Sequence, residues 1–239
     1  MNGSETQNKN ILLDIFYWLF NYFGPQHWWP AETPFEVIIG AILTQSAAWK
    51  NVEKAIGNLK TAGLLSPEAL RRISVEELGQ MIRSCGYYNA KAIKLKAFVS
   101  WLGRYYSDDL NTLFSLDTDE LRRQLLTVHG IGEETADSIM LYAAGKPVFV
   151  IDAYTKRIIS RFGLIPFRES YGALQSFFMR SLPSDPALFN EYHALLVALG
   201  KKFCRKRPVC TDCILRSQCA AGRLSCSSTS TQANKIVNR

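Results

Sequence analysis

Histidine is scarce in this chain, no long apolar run occurs, and nowhere do apolar and polar residues alternate for long. Each shortage excludes something. The three histidines include His129 and His193, and neither has the sequence companions of a nucleophilic triad. The run Ile11–Phe20 is interrupted by Asp14 and falls short of the roughly 20 apolar residues a membrane-spanning helix needs. The opening MNGSETQNKN lacks a basic-then-apolar signal pattern, so a cytoplasmic protein with no membrane partner is expected. Without strand alternation or an internal repeat, sheets and solenoids are not supported. Acidic residues are the minority, 21 against 28 Lys and Arg. The resulting charge of +7 and a pI near 9.1 suit a polyanionic partner.

What the chain does have is helical periodicity. Apolar residues recur at three- and four-residue spacing in 9–24, 34–46, 50–64, 66–83, 89–106, 117–127, 133–145, 152–163, 168–181 and 186–201. Thr33-Pro34, Ser66-Pro67, Ser74 with Glu77, and Asp185-Pro186 are helix-opening signals. The fold class expected is all-α. Residues 225–239, rich in Ser and Thr, have little to bury and read as a disordered tail.

His129-Gly130-Ile131-Gly132 interrupts this pattern, and Glu133-Glu134-Thr135-Ala136 restarts it. Two glycines let another molecule's backbone come close, and the free N–H groups of a helix start favour an anionic oxygen such as phosphate. A tight helix–helix turn without a ligand satisfies the same pattern. Downstream, Asp152 precedes the helix Ala153–Phe162 and reads either as its N-cap or as a functional carboxylate.

Four of the six cysteines crowd together as Cys204, Cys210, Cys213 and Cys219, which argues against three disulfides. Four closely spaced thiolates in a reducing compartment suit a tetrahedral zinc or an iron–sulfur cluster, and the C-x-x-C of Cys210 and Cys213 fits both. Cys85 and Cys226 stand apart and read as a core thiol and a tail thiol.

The hairpin Gly130-Ile131-Gly132, the Thr135-Ala136 that follows it and the run Val150-Ile151-Asp152 resemble the helix-hairpin-helix and following aspartate of the endonuclease III superfamily of DNA glycosylases. The likeness extends from about residue 9 to residue 219. It implies two helical domains, a barrel over 27–146 carrying the hairpin and a second of 1–26 plus 147–224 carrying the cysteine loop, with Asp152 falling where they meet. It also implies a base-excision glycosylase acting on double-stranded DNA with a damaged base, a monomer, and a [4Fe–4S] cluster on the four cysteines, zinc being the alternative. The cysteine loop has one residue fewer between its first two cysteines than the family's.

In that superfamily the aspartate is catalytic. Breaking an N-glycosidic bond leaves positive charge on the deoxyribose, which a carboxylate offsets while directing water. Members that also cut the strand carry a hairpin lysine that forms a Schiff base. Here that position is Glu134, so the resemblance implies a monofunctional enzyme with little or no lyase activity.

Trp28-Trp29-Pro30, Thr44-Gln45 and the absent lysine are similar to the third bacterial class of 3-methyladenine DNA glycosylases within the superfamily. The likeness implies a base pocket lined by Trp28, Trp29, Pro30 and Trp49, joined by Glu134, for an extruded base. Indole faces attract cations, and alkylated purines are cationic. Gln45 would fill the hole left by the nucleotide and Tyr87 would wedge into the duplex. His129, Gly130, Gly132, Lys201 and Arg205 would contact DNA, with Lys202, Lys206 and Arg207 nearby on the basic loop. His193 reads as structural. Glycosylases for oxidised pyrimidines, uracil or mispaired bases share the hairpin, aspartate and cluster, and a non-enzymatic iron–sulfur DNA-binding module is a further alternative.

Overall fold

A computed structural model describes residues 3–225, with side chains from residue 10 onward. Cys226 and nearly all of the expected tail lie outside the described residues. Among those described there is no strand, as the all-α expectation requires. The chain divides into two compact units, Trp29–Pro147 and a second that joins Met1–Trp28 to Val148–Arg239.

The second unit contains α1 (Gly3–Phe23), α10 (Ala153–Phe162), α11 (Tyr171–Ser181) and α12 (Pro186–Lys202). Its core is aromatic. Phe149 stacks on Phe178 with centroids 4.0 Å apart, and both meet Tyr192. Tyr192 is fully buried and resolves its polarity by donating its hydroxyl to the Leu12 carbonyl at 2.8 Å. That bond ties α12 to α1 across the length of the sequence.

The unit Trp29–Pro147 is built on α2 (Pro34–Leu43), α3 (Trp49–Thr61), α4 (Pro67–Arg72), α5 (Val75–Met81), α6 (Tyr88–Tyr106), α7 (Leu110–Phe114), α8 (Thr118–Leu126) and α9 (Glu133–Ser138). Every residue of α2 from Phe35 to Leu43 is buried, and while α4 and α5 pack on α6, α2 forms an axis on which α3, α6 and α9 pack. Each of its large aliphatic side chains contributes about 1.5–3 kcal/mol by leaving water. Glu36 is the polar exception on α2. Its carboxylate accepts from Glu32 N at 2.9 Å and from Lys60 Nζ at 3.0 Å.

The expected helix 66–83 is two helices. Ser74 and Glu77 form a reciprocal capping box, which opens α5 and leaves Ile73 extended at ψ 145°. Capping chemistry overrides the apolar period there. The expected helix 133–145 changes character after Ser138, where Ile139–Ala143 widen into a π turn. α7 falls in a stretch the periodicity left blank, and Asp109 caps it through Asn111 N.

Candidate functional site

The glycine hairpin closes as a tight turn. Ile131 N donates to Val128 O at 3.1 Å with Gly130 at φ +85°, a region that favours glycine. A Cβ at Gly130 would stand 2.3 Å from the Lys94 side chain, so glycine is required by packing as well as by backbone. Gly132 is extended at the start of α9, with open space where a side chain would be. His129, Glu133 and Glu134 are exposed. The two helices are stapled by Arg122 on α8, whose Nε and Nη2 donate to Asp137 on α9 at 2.7 and 3.2 Å. Sequence reasoning passed over this pair, because nothing in the spacing marks Asp137 as buried.

Gln45, in the turn after α2, reaches this hairpin. Its Nε2 donates to Gly130 O and to Thr135 Oγ1, each at 3.0 Å, and its Oε1 accepts from Lys94 Nζ of α6. Lys91, also on α6, is buried and donates to Leu43 O at 2.8 Å and Cys85 O at 2.9 Å. It thereby anchors the end of α2 and the turn before Tyr87. Burial lowers the Lys91 amine from its ordinary range. Tyr87 itself is left-handed at φ 47° and 78% exposed.

Trp29 and Trp49 come together edge to face with centroids 5.1 Å apart, and Tyr142 lies 5.2 Å from Trp29. Tyr142 sits on the π turn, and apolar spacing does not mark it because its position depends on that local widening. Gly40 makes room for the indole, since a Cβ there would meet Trp29 at 3.0 Å. Trp49 donates its indole N–H to Glu53 at 2.7 Å. Pro30 is exposed, and Trp28 belongs to the other unit.

In that other unit Asp152 caps α10, its Oδ1 accepting from Thr155 N at 2.7 Å. The second oxygen, Oδ2, lies 3.7 Å from His193 Nε2 of α12, with side chains 12% and 9% exposed. The spacing makes His193 an electrostatic neighbour rather than a hydrogen-bond partner. A lone histidine in a helical run carried no signal for this approach. Burial lowers the His193 imidazole below its ordinary 6.5, and the Asp152 carboxylate opposes the shift. The folded protein therefore holds that proton less tightly than the unfolded chain. The associated stability is fully present above the ordinary value and is lost as pH falls through the lowered one. Melting temperature should drop as pH falls below the ordinary value of 6.5, and less so in His193→Gln; an unchanged drop in that variant would remove His193 as a cause.

Cys204, Cys210, Cys213 and Cys219 all line one pocket of about 30 Å³, together with Phe203 and Val209. All four are free thiols. Among the described residues no three His, Cys, Asp or Glu side chains gather as they would around a single ion. Burial pushes the Cys213 and Cys219 thiols up, and the neighbouring cysteines add to the rise. Four half-buried thiols around an apolar space fit a metal-based group, because ligation converts thiols to stable thiolates. Two arginines of α10 hold the loop: Arg157 donates to Cys204 O at 2.8 Å, and Arg161 to Arg205 O at 2.6 Å and Lys206 O at 2.9 Å. Lys201 and Arg205 are exposed, and Arg205 also donates back to Lys201 O and Lys202 O. Lys202 instead lies over Tyr22, 4.8 Å from its ring centroid.

A glycine hairpin between two short helices, followed by an aspartate-capped helix in an all-helical chain, defines a helix-hairpin-helix protein. The chain belongs to the HhH-GPD superfamily of base excision DNA repair proteins, whose pattern it matches over residues 39–184. It is a base excision repair DNA glycosylase of that family. A Methanocaldococcus jannaschii protein named as a candidate DNA repair glycosylase is 44% identical over 218 residues, 89% of this chain and 98% of that one. Endonuclease III of Sulfolobus acidocaldarius is 30% identical over 77% of this chain and 81% of its own. Among solved structures, the H. pylori 3-methyladenine DNA glycosylase bound to 1,N6-ethenoadenine is 26% identical with a TM-score of 0.69, covering 83% of this chain and 97% of that one. An endonuclease III trapped covalently on DNA has a TM-score of 0.79 at 23% identity, over 91% and 98% of the two chains, which is a likeness of fold. No described helix is long and apolar enough to cross a membrane.

Proposed function

We propose that this glycosylase removes alkylated purines such as 3-methyladenine by hydrolysis and leaves the strand uncut. The observation that carries the reading is the aromatic group Trp29, Trp49 and Tyr142. Aromatic faces attract a cation by about 0.5–2 kcal/mol, most when water is excluded, and barely distinguish neutral bases. A cationic base also leaves more readily, so the site needs only to hold it and stabilise the sugar charge. Pro30 belongs to the same pocket in this reading, and the H. pylori protein of similar fold is itself a 3-methyladenine glycosylase.

Asp152 is the carboxylate that offsets charge at C1′ and directs water. Glu134 occupies the first turn of α9 and has no amine with which to form an imine. His129, Gly130 and Gly132 meet the DNA backbone, Tyr87 wedges between bases, Gln45 serves the opened duplex, and Lys201 and Arg205 contact phosphate. The four cysteines would hold a [4Fe–4S] cluster. Such a group supplies covalent bracing for the loop between Cys204 and Cys219. Among the described residues the cysteines do not gather as they would around a single ion, which favours a multi-atom cluster over one zinc, whose sulfurs would close to Zn–S bonds of about 2.3 Å.

The test is base release from methylated duplex DNA, with the product resolved with and without alkali. Free 3-methyladenine together with strand breaks confined to the alkali-treated sample is the expected result. Strand cutting without alkali would overturn the role given to Glu134. Release of oxidised pyrimidines or uracil in preference to methylated purines would overturn the substrate. Purified protein should be coloured and contain iron; a colourless protein containing zinc would reverse the assignment of the cysteines.

A further inference from the structure

In this structure the Gln45 amide is committed on both sides. Its N–H groups go to the hairpin, at Gly130 O and Thr135 Oγ1, and its oxygen takes the Lys94 ammonium. The carbonyl it holds belongs to the Gly130–Ile131 peptide, whose N–H closes the turn onto Val128 O. One peptide plane is therefore fixed from both ends. That matters at this residue because Gly130, at φ +85°, has no side chain to restrain it. Lys94 adds a second constraint by laying its stem where a Gly130 Cβ would be. Three segments far apart in sequence, the turn after α2, the middle of α6 and the hairpin, meet in this single polar group.

We propose that Gln45 is a positioning residue for the hairpin: oriented by Lys94, it locks the Val128–Gly132 turn in its DNA-binding shape before any duplex arrives. The proposal rests on the reading that this hairpin meets the DNA backbone. It gives Gln45 a task in the free enzyme, on undamaged DNA as much as on a lesion. A residue acting only in the opened duplex has no effect on either. The Lys94 ammonium acts through Gln45, so its loss in Lys94→Met, which keeps most of the stem over Gly130, adds little once Gln45 is gone.

Two measurements test this on the full chain. Amide hydrogen exchange without DNA reads the turn directly through the Ile131 N–H. In Gln45→Leu that amide should exchange at least about tenfold faster, since a freed turn opens more often. Gln45→Glu should do the same, because a carboxylate keeps the Lys94 partner and cannot donate to Gly130 O; it serves where the leucine variant folds poorly. Binding of a labelled undamaged duplex should weaken about tenfold in Gln45→Leu, with Gln45→Leu/Lys94→Met no more than about threefold worse than the single variant. Unchanged exchange at Ile131 overturns the proposal. Faster exchange with unchanged undamaged-duplex affinity overturns the claim that the locked turn serves DNA. A wild-type protein that binds no duplex would instead sink the hairpin–DNA reading, and the exchange measurement would still decide whether Gln45 holds the turn.

Discussion

Asp152→Asn should lower single-turnover base release by about 10³-fold, while the melting temperature stays within a degree or two of wild type. The two halves of this expectation separate the observed cap from the proposed catalytic carboxylate. As an N-cap, Asp152 uses a single oxygen to accept from Thr155 N at 2.7 Å. Asparagine caps as well as aspartate, so the helix start survives the exchange. In the proposed role of offsetting positive charge at the sugar, Asp152 would act through its negative charge, which asparagine lacks. Asp152→Ala gives the contrast, losing activity and also about 1 kcal/mol of stability with the cap. If Asp152→Asn releases base within tenfold of the wild-type rate, the residue is a cap and the carboxylate chemistry lies elsewhere.

Arg122→Leu should destabilise the protein by about 3 kcal/mol, the lower end of the range for breaking a buried ion pair. Asp137 is fully buried, and the guanidinium meets both its oxygens at 2.7 and 3.2 Å. Removing the arginine leaves the carboxylate in an apolar interior without that partner. The estimate sits low because Arg122 keeps 26% of its side chain exposed, where water shares its charge. For a chain of this size the melting temperature should fall by about 6–12 °C. Since the pair joins α8 to α9, the loosened hairpin should also bind duplex DNA less well. A calorimetric shift of a degree or less would show that the two helices hold together without it.

Much of this was legible in the chain. The helical class follows from apolar spacing, and helix starts at Thr33, Ser66, Ser74 and Asp185 follow from side chains that accept from backbone N–H groups. Those are local rules, satisfied within a few residues. The same locality produced the errors. Periodicity ran one helix through Ile73, although the stronger signal at Ser74 opens a new one. It carried an α-helix past Ser138, where packing instead stretches the backbone into a π turn and so aims Tyr142 at Trp29.

By itself the sequence determined the chemistry available: an aspartate before a helix, a hairpin with no lysine, four clustered thiols, and tryptophans ahead of the first helix of the Trp29–Pro147 unit. Only the tertiary structure decided which of these groups meet. Asp152 acquires His193 from a helix some forty residues on, and Gln45 acquires Gly130, Thr135 and Lys94. Asp137, a polar residue at an unremarked helical position, becomes the most deeply buried charge of the hairpin. Residue type and spacing act through bonds within one turn of helix, whereas such encounters are set by how whole helices bury their apolar faces, which no short window of sequence contains.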